Sequence, residues 1–169
     1  MAARWYLTLT ILLQDREAEI MEIKSPITVV PMEEHHIDGV AQLEEMIFSV
    51  PFKKKDICDL FQNTSWHFFT ALDGDKVVGY ISLYLIIDEK EIVNVCVLPN
   101  YRGCGIGAML VEAALEYERD KTARVMLEVR ASNSRAISLY KKFGFLPVGV
   151  SKNHYSQPRE DAVLMNLEY

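Results

Sequence analysis

A strand, a glycine-spaced loop and a helix follow one another without interruption between Glu91 and Tyr117, and this junction constrains the chain more than any other stretch. Glu91-Ile-Val-Asn-Val-Cys-Val97 is rich in β-branched residues and predicts a strand. The loop Leu98-Pro-Asn-Tyr-Arg102-Gly103-Cys104-Gly105-Ile106-Gly107-Ala108 follows. Its glycines, at alternate positions, let backbone N–H groups turn toward one point with no Cβ in the way. A helix is then predicted through Tyr117, with apolar residues at 106, 110, 113, 114 and 117 on one face. Its first turn adds unpaired N–H groups and the positive end of the helix dipole. Such a place binds an anion, and a diphosphate is the leading candidate.

Two ligand classes compete for this loop. Gly103-x-Gly105-x-x-Ala108 fits the dinucleotide fingerprint, with Glu128 about 20 residues further on where a ribose-binding acid would stand. Context argues against that fit. A dinucleotide fold needs several parallel strand–helix units after the loop, and the chain has room for only about one helix and two strands beyond Glu128. Its strand should also run almost directly into the first glycine, whereas Pro99-Asn-Tyr-Arg102 intervene. Upstream, Lys76–Asp88 and Glu91–Leu98 predict an antiparallel hairpin turning at Asp88-Glu-Lys90.

The remaining elements follow from periodicity and punctuation. Ile27–Val30 predicts a short strand, Glu33–Phe48 and Lys53–Gln62 two helices separated at Pro51, and Trp66–Leu72 a strand turning at Asp73-Gly-Asp75 into Val77–Ile87. Val125–Arg130 is another strand, followed by a helix capped by Asn133 or Ser132 and stopped at Gly144. Phe145–Val150 and Ala162–Leu167 supply the last two strands. The order β-α-α-β-β-β-α-β-α-β-β suggests an α/β (α+β) domain. With 169 residues, half of them hydrophobic, there is enough chain for one well-buried core and too little for two typical domains.

Arg102-x-x-Gly105-x-Gly107 after Val-x-Pro resembles the acyl-CoA diphosphate loop of the GCN5-related N-acetyltransferase superfamily. Leu127-Glu-Val-Arg-Ala-Ser-Asn133, Ala136-Ile-Ser-Leu-Tyr140 and Lys142-Phe-Gly-Phe145 extend the resemblance over roughly residues 26–169. Within the superfamily the likeness is closest to the ribosomal-protein-alanine N-acetyltransferases, and Glu160-Asp-Ala162 behind Tyr155 strengthens it. The resemblance implies an acyl-CoA N-acyltransferase fold, a mixed, twisted, largely antiparallel sheet flanked by helices, whose splayed central strands admit the pantetheine arm of acetyl-CoA. It implies a cofactor site formed by the backbone of Val95, Cys96 and Val97, by Arg102, Gly103, Cys104, Gly105, Ile106, Gly107 and Ala108, and by Asn133. It further implies Glu128 as general base, acting through a water, and Tyr140 as the acid that protonates the leaving thiolate. The acceptor implied is a protein N-terminus, that of ribosomal protein S18. One departure stands out: family members often carry further basic residues in the loop, and here Arg102 is its single basic side chain.

Each of these residues also has an ordinary reading. Seen alone, Glu128 is a solvated strand carboxylate paired to a neighbouring arginine, sharing a face with Met126 and Arg130. Tyr140 fits a core aromatic, by the 137/140/143 apolar spacing, and Asn133 a plain helix cap. Cys96 has no histidine at a recognisable spacing to activate it, and reads as structural. Histidines 35, 36, 67 and 154 form no metal-spaced set, so no metal is expected, and His35-His36 reads as a solvated first-turn pair.

Composition bounds the partners. A net charge of −6 argues against non-specific nucleic-acid binding. Three cysteines without C-x-x-C spacing suggest reduced thiols in a cytoplasmic protein. The apolar run Trp5–Leu13 is too short for a membrane span, which needs about 20 residues, so no membrane is expected as a partner. Residues 1–20 are expected to be an extension, with the catalytic domain over 21–169. Two other functions remain open at the level of sequence: an acetyltransferase acting on a polyamine, amino sugar or amino acid, and a non-catalytic acyl-CoA-binding module.

Overall fold

The computed structural model describes residues 25–169, so the expectation for residues 1–20 lies outside the described residues. Seven strands and four α-helices occur in the expected order: β1 (Thr28–Pro31), α1 (Ile37–Ile47), α2 (Lys54–Phe61), β2 (Trp66–Asp73), β3 (Lys76–Ile86), β4 (Glu89–Val97), α3 (Ile106–Glu116), β5 (Arg124–Arg130), α4 (Ser134–Lys142), β6 (Leu146–Ser156) and β7 (Arg159–Glu168). They form one mixed sheet of order β1-β2-β3-β4-β5-β7-β6, in which β4 and β5 are parallel and every other pair is antiparallel. No helix among the described residues is long and apolar enough to cross a membrane.

Strand alternation sends side chains to two separate cores. Ile81, Leu83, Ile92, Val125, Leu127 and Val129 meet Ile106, Leu110, Val111 and Ala114 of α3 on one face, together with Tyr140 of α4. Val40 and Leu43 of α1 and Ile57 of α2 cover Phe68, Tyr80 and Cys96 on the other. Burying each large apolar side chain contributes about 1.5–3 kcal/mol, so the sheet is held from both sides. At the end of α4, Gly144 takes φ +91, with its N–H bonded to Lys141 O and that of Phe145 to Tyr140 O. That is the stop predicted for this glycine, and it fixes Phe145 beneath the ring of Tyr140.

Several boundaries differ from the sequence reading. The β3–β4 turn lies at Ile87–Asp88 rather than Asp88–Lys90, because Ile87 itself adopts the left-handed conformation (φ 57) and the strands pair out to Ile86↔Glu89. The last hairpin is much longer than expected, since polar residues from Ser151 to Ser156 continue β6 as an edge strand. His36 is no solvated partner of His35. It lies buried in a 3₁₀ turn, where its Nδ1 accepts the Glu33 N–H at 3.0 Å and stands 3.3 Å from Thr70 Oγ1.

Lys90 is a buried cation with a structural task. Its ammonium donates to the carbonyls of Ala114, Leu115 and Tyr117, which end α3. It so satisfies acceptors that have no partner within the helix, and sits at the negative end of the dipole. Burial pushes its pKa down to about 8 from the usual 10.5, against the pull of Glu118 and Glu116. Between those values the unfolded chain binds more protons than the folded one, so this group's contribution to stability grows as pH rises. Wild type is therefore expected to gain stability relative to Lys90→Met as pH goes from 8 to 10.5, measured by urea unfolding; a pH-independent difference would contradict this.

Candidate active site

The site begins where two strands stop bonding. β4 and β5 pair from Glu89↔Arg124 to Ile92↔Leu127 and no further. Val93 is a bulge in β4: Leu83 opposes Ile92 and Ser82 opposes Asn94, leaving Val93 without a cross-strand partner. Ser82 Oγ accepts the Asn94 N–H at 3.1 Å, which satisfies the backbone at the irregularity. A bulge bends its strand, and here β4 turns away from β5 just before Val95, Cys96 and Val97. The backbone of those three residues thus borders an open gap, with Glu128 as the first β5 residue beyond the paired stretch.

The gap leads to the glycine loop. Gly103 and Gly105 have φ +90 and +81, conformations that any other residue would adopt only with strain. The first helical hydrogen bonds of α3 run from Ala108 and Met109 to Gly105 O, so the Ile106 and Gly107 N–H groups point out of the helix end. A Cβ placed on Gly105 would meet nothing within 4 Å, which shows open space above the cradle. Arg102 stays exposed, its Nε donating to Val97 O at 3.0 Å. A second cation reaches the loop from α4: Arg135 Nη2 lies 3.6 Å from where a Gly103 Cβ would be. The sequence reading missed it, because Arg135 is distant in sequence and only the packing of Leu139 against Gly107 brings the two helix starts together. Asn133 caps α4, its Oδ1 accepting the Ala136 N–H at 3.1 Å.

Glu128 and Tyr140 lie on opposite faces of the sheet. Tyr140 is buried among the α3-side core residues, edge-to-face with Phe145 at 5.7 Å, and burial pushes its phenol up to about 12. Glu128 alternates away from that core: its neighbours Leu127 and Val129 turn inward, while Glu128 itself is exposed. Its partner is not Arg130 but His154, whose Nε2 stands 2.9 Å from Glu128 Oε2. Glu91 is close enough on β4 for the Glu128 charge to raise its carboxyl pKa, after burial as the larger cause. Cys96 is buried, and burial holds its thiol protonated, in keeping with a structural residue.

Arg130 instead organises the far wall. Its guanidinium donates to Gln157 O (2.9 Å), Pro158 O (3.0 Å) and Glu160 Oε2 (3.2 Å), and lies 4.0 Å from the centroid of the Tyr155 ring. Glu160 also accepts the Ser132 N–H at 2.6 Å, and this bond, with the Arg130 charge, lowers its pKa. The near wall is the segment between α1 and α2, which touches the last hairpin through Ser49 Oγ donating to Gln157 O at 2.7 Å.

That near wall hangs on a carboxylate that the sequence did not single out. Glu44 of α1 is fully buried; it accepts the Phe52 N–H at 2.8 Å, Asn94 Nδ2 at 2.9 Å and the Tyr80 hydroxyl. Burial raises its pKa, so a neutral group of the same shape is tolerated there. The spacing Ile37, Val40, Glu44, Ile47 places Glu44 rather than Glu45 on the apolar face of the helix, a sign the sequence reading did not take up. Glu44 ties the acceptor-side segment to β4 beside the bulge.

A mixed sheet parted between two parallel strands, with a glycine-spaced loop and a helix start beside the gap, is the architecture of the acyl-CoA N-acyltransferase fold. The chain belongs to the acetyltransferase (GNAT) family, whose model matches residues 37–145, and is an N-acetyltransferase. It is 35% identical over 145 residues to a candidate bS18-alanine N-acetyltransferase of Bacillus subtilis (strain 168), covering 85% of this chain and 96% of that one. It is 29% identical over 143 residues to the bS18-alanine N-acetyltransferase of Escherichia coli (strain K12), covering 83% and 96%. The crystal structure of the E. coli ribosomal-protein-S18-alanine N-acetyltransferase superposes with a TM-score of 0.77 at 28% identity, over 84% of this chain and 93% of that chain. Ard1 from Thermoplasma volcanium gives 0.76 at 27% identity, over 84% and 97%.

Glu44→Ala is expected to leave the buried Tyr80 hydroxyl and the half-buried Phe52 N–H without their acceptor and to cost about 2–4 kcal/mol by chemical denaturation, with Glu44→Gln costing clearly less. Equal losses in the two variants would contradict the network.

Proposed function

We propose that this chain transfers the acetyl group of acetyl-CoA to the N-terminal α-amine of a protein, with the alanine-first N-terminus of ribosomal protein bS18 as acceptor. The observation that carries the reading is Glu128, the first β5 residue beyond the last β4–β5 pair, exposed on the sheet face opposite the α3 core. The names of the relatives matched over nearly their full length support the acceptor.

The residues present fit acetyl-CoA. The Ile106 and Gly107 N–H groups, the α3 dipole and the Arg135 guanidinium offer what a diphosphate needs. The unpaired stretch of β4 offers backbone groups to an extended pantetheine arm, and a backbone N–H there can polarise the thioester carbonyl. Glu128 takes the proton of the attacking amine through a water. Tyr140, on the other face, supplies a phenol that stays protonated at neutral pH and donates to the departing sulfur. Residues on opposite faces serve one reaction because the sheet is open between them.

An α-amine is the acceptor best matched to a site with one such carboxylate. It titrates near 7.7–8.0 against about 10.4 for lysine, a difference of about 3–4 kcal/mol in deprotonation cost at neutral pH. A peptide carrying an N-terminal alanine and an internal lysine is expected to be acetylated at the α-amine, as read by fragment mass spectrometry. Glu128→Gln and Tyr140→Phe should each retain acetyl-CoA affinity and slow turnover by roughly 10²–10⁴-fold. Label on the lysine alone would overturn the acceptor, and wild-type turnover in either variant would overturn that residue's role.

A further inference from the structure

We propose that Asn94 holds the attacking α-amine: its Oδ1 accepts one amine N–H across the β4–β5 gap from Glu128, and the buried Glu44 fixes which end of the amide faces the acceptor. This deepens the function proposed above and rests on Glu128 being the base.

The β4 bulge is what brings Asn94 to that face. Side chains alternate along a strand, so Ile92, Asn94 and Cys96 would share one face of a regular β4. Ile92 instead packs in the α3-side core, and Cys96 in the core beneath α1 and α2. The extra residue at Val93 accounts for the switch, where the pairing with β3 shifts register between Ser82 and Leu83. Asn94 lies past the switch, on the side of Glu44 and Tyr80. Glu128 turns to the same face, away from Leu127 and Val129. The last β4–β5 pair is Ile92↔Leu127, so with the bulged residue discounted Asn94 and Glu128 are the next residues on the two lips of the gap. Each lip carries one polar side chain, and the backbone of Val95 follows directly on the β4 side.

The amide has one way round. Its Nδ2 donates to Glu44 Oε1 at 2.9 Å and to the Tyr80 hydroxyl oxygen at 3.1 Å. Glu44 Oε2 accepts the Phe52 N–H at 2.8 Å, and Oε1 accepts the proton of the Tyr80 hydroxyl. Burial and the Glu44 charge keep that phenol protonated. Oε1 therefore offers Asn94 an acceptor and no donor, and an inverted amide would set two oxygens together with no proton between them. The other end, Oδ1, makes no hydrogen bond among the described residues. No sealed side-chain polar atom among them lacks a partner, so Oδ1 of this half-buried residue is open to solvent.

A neutral primary amine has one lone pair and two N–H bonds. Attack aims the lone pair at the thioester carbon, which leaves both N–H bonds to be held. One is directed to Glu128 through a water, and the other meets Asn94 Oδ1. The proton still passes to Glu128, while Asn94 gains and loses nothing. A secondary amine, with one N–H, cannot engage both lips. Asn94 thus touches substrate, and Glu44 acts through it as a positioning residue.

Kinetics with acetyl-CoA and two peptides, beginning with alanine or with N-methylalanine, test this. In Asn94→Ala, kcat/KM for the alanine-first peptide should fall about tenfold, with acetyl-CoA affinity unchanged. The N-methylalanine peptide, slower in wild type, should barely change. Glu44→Gln leaves Asn94 in place: its Oε1 stays on the Phe52 N–H, so its Nε2 faces Asn94 and turns the amide over. This variant should fold, bind acetyl-CoA as wild type does and slow the alanine-first peptide about tenfold, yet add nothing in the Asn94→Ala background. Wild-type kcat/KM in folded Glu44→Gln, or equal losses for the two peptides in Asn94→Ala, with Glu128→Gln slow, would overturn the role of Asn94 and leave the function standing. No turnover of the alanine-first peptide by wild type would overturn the function itself.

Discussion

The rest of the structure depends on two parallel strands that part company after Ile92 and Leu127. A sheet normally keeps its backbone groups paired, because an unpaired buried N–H or C=O costs about as much as a lost hydrogen bond. Here the bulge at Val93 and the Ser82 hydroxyl make the parting tolerable on the β3 side. On the β5 side the groups remain available to a ligand that is itself extended and polar. The gap is therefore a defect in the sheet that leaves strand backbone groups facing open space.

Everything near the gap serves to hold it open in a fixed shape. On one face α3 packs its apolar side against β3, β4 and β5 while its start supplies the anion cradle. Its far end is held by Lys90, a β4 residue, so one strand anchors α3 and also borders the gap. On the other face Glu44 binds Asn94 of β4 and Phe52 of the α1–α2 segment together. Arg130 does the same for the last hairpin. The two acceptor-side walls then meet at Ser49 and Gln157.

Much of this was legible in the sequence, for reasons that can be named. The strand–loop–helix at residues 91–117 is local, and glycines at 103 and 105 declare their positive φ. The order of elements followed from periodicity, and α4 is marked at its start by the capping oxygen of Asn133 and at its end by the positive φ open to Gly144. What escaped was long-range. Arg135, Glu44 and His154 reach their partners across helices or strands, and a single sequence carries no sign of such pairings. Edge strand β6 escaped for a different reason: its outer half is polar on both faces, so alternation gave no signal and only pairing with β7 reveals it.

If the gap is the seat of acetyl-CoA, the backbone that borders it must respond when the cofactor binds. Backbone ¹H–¹⁵N spectra recorded during titration with acetyl-CoA test this directly. The largest shifts are expected at Val95, Val97, Gly103, Gly105, Ile106 and Gly107, with Glu128 affected at the gap's mouth and no comparable response to NAD. Shifts confined to other strands, with residues 95–97 and 103–107 silent at saturation, would contradict it.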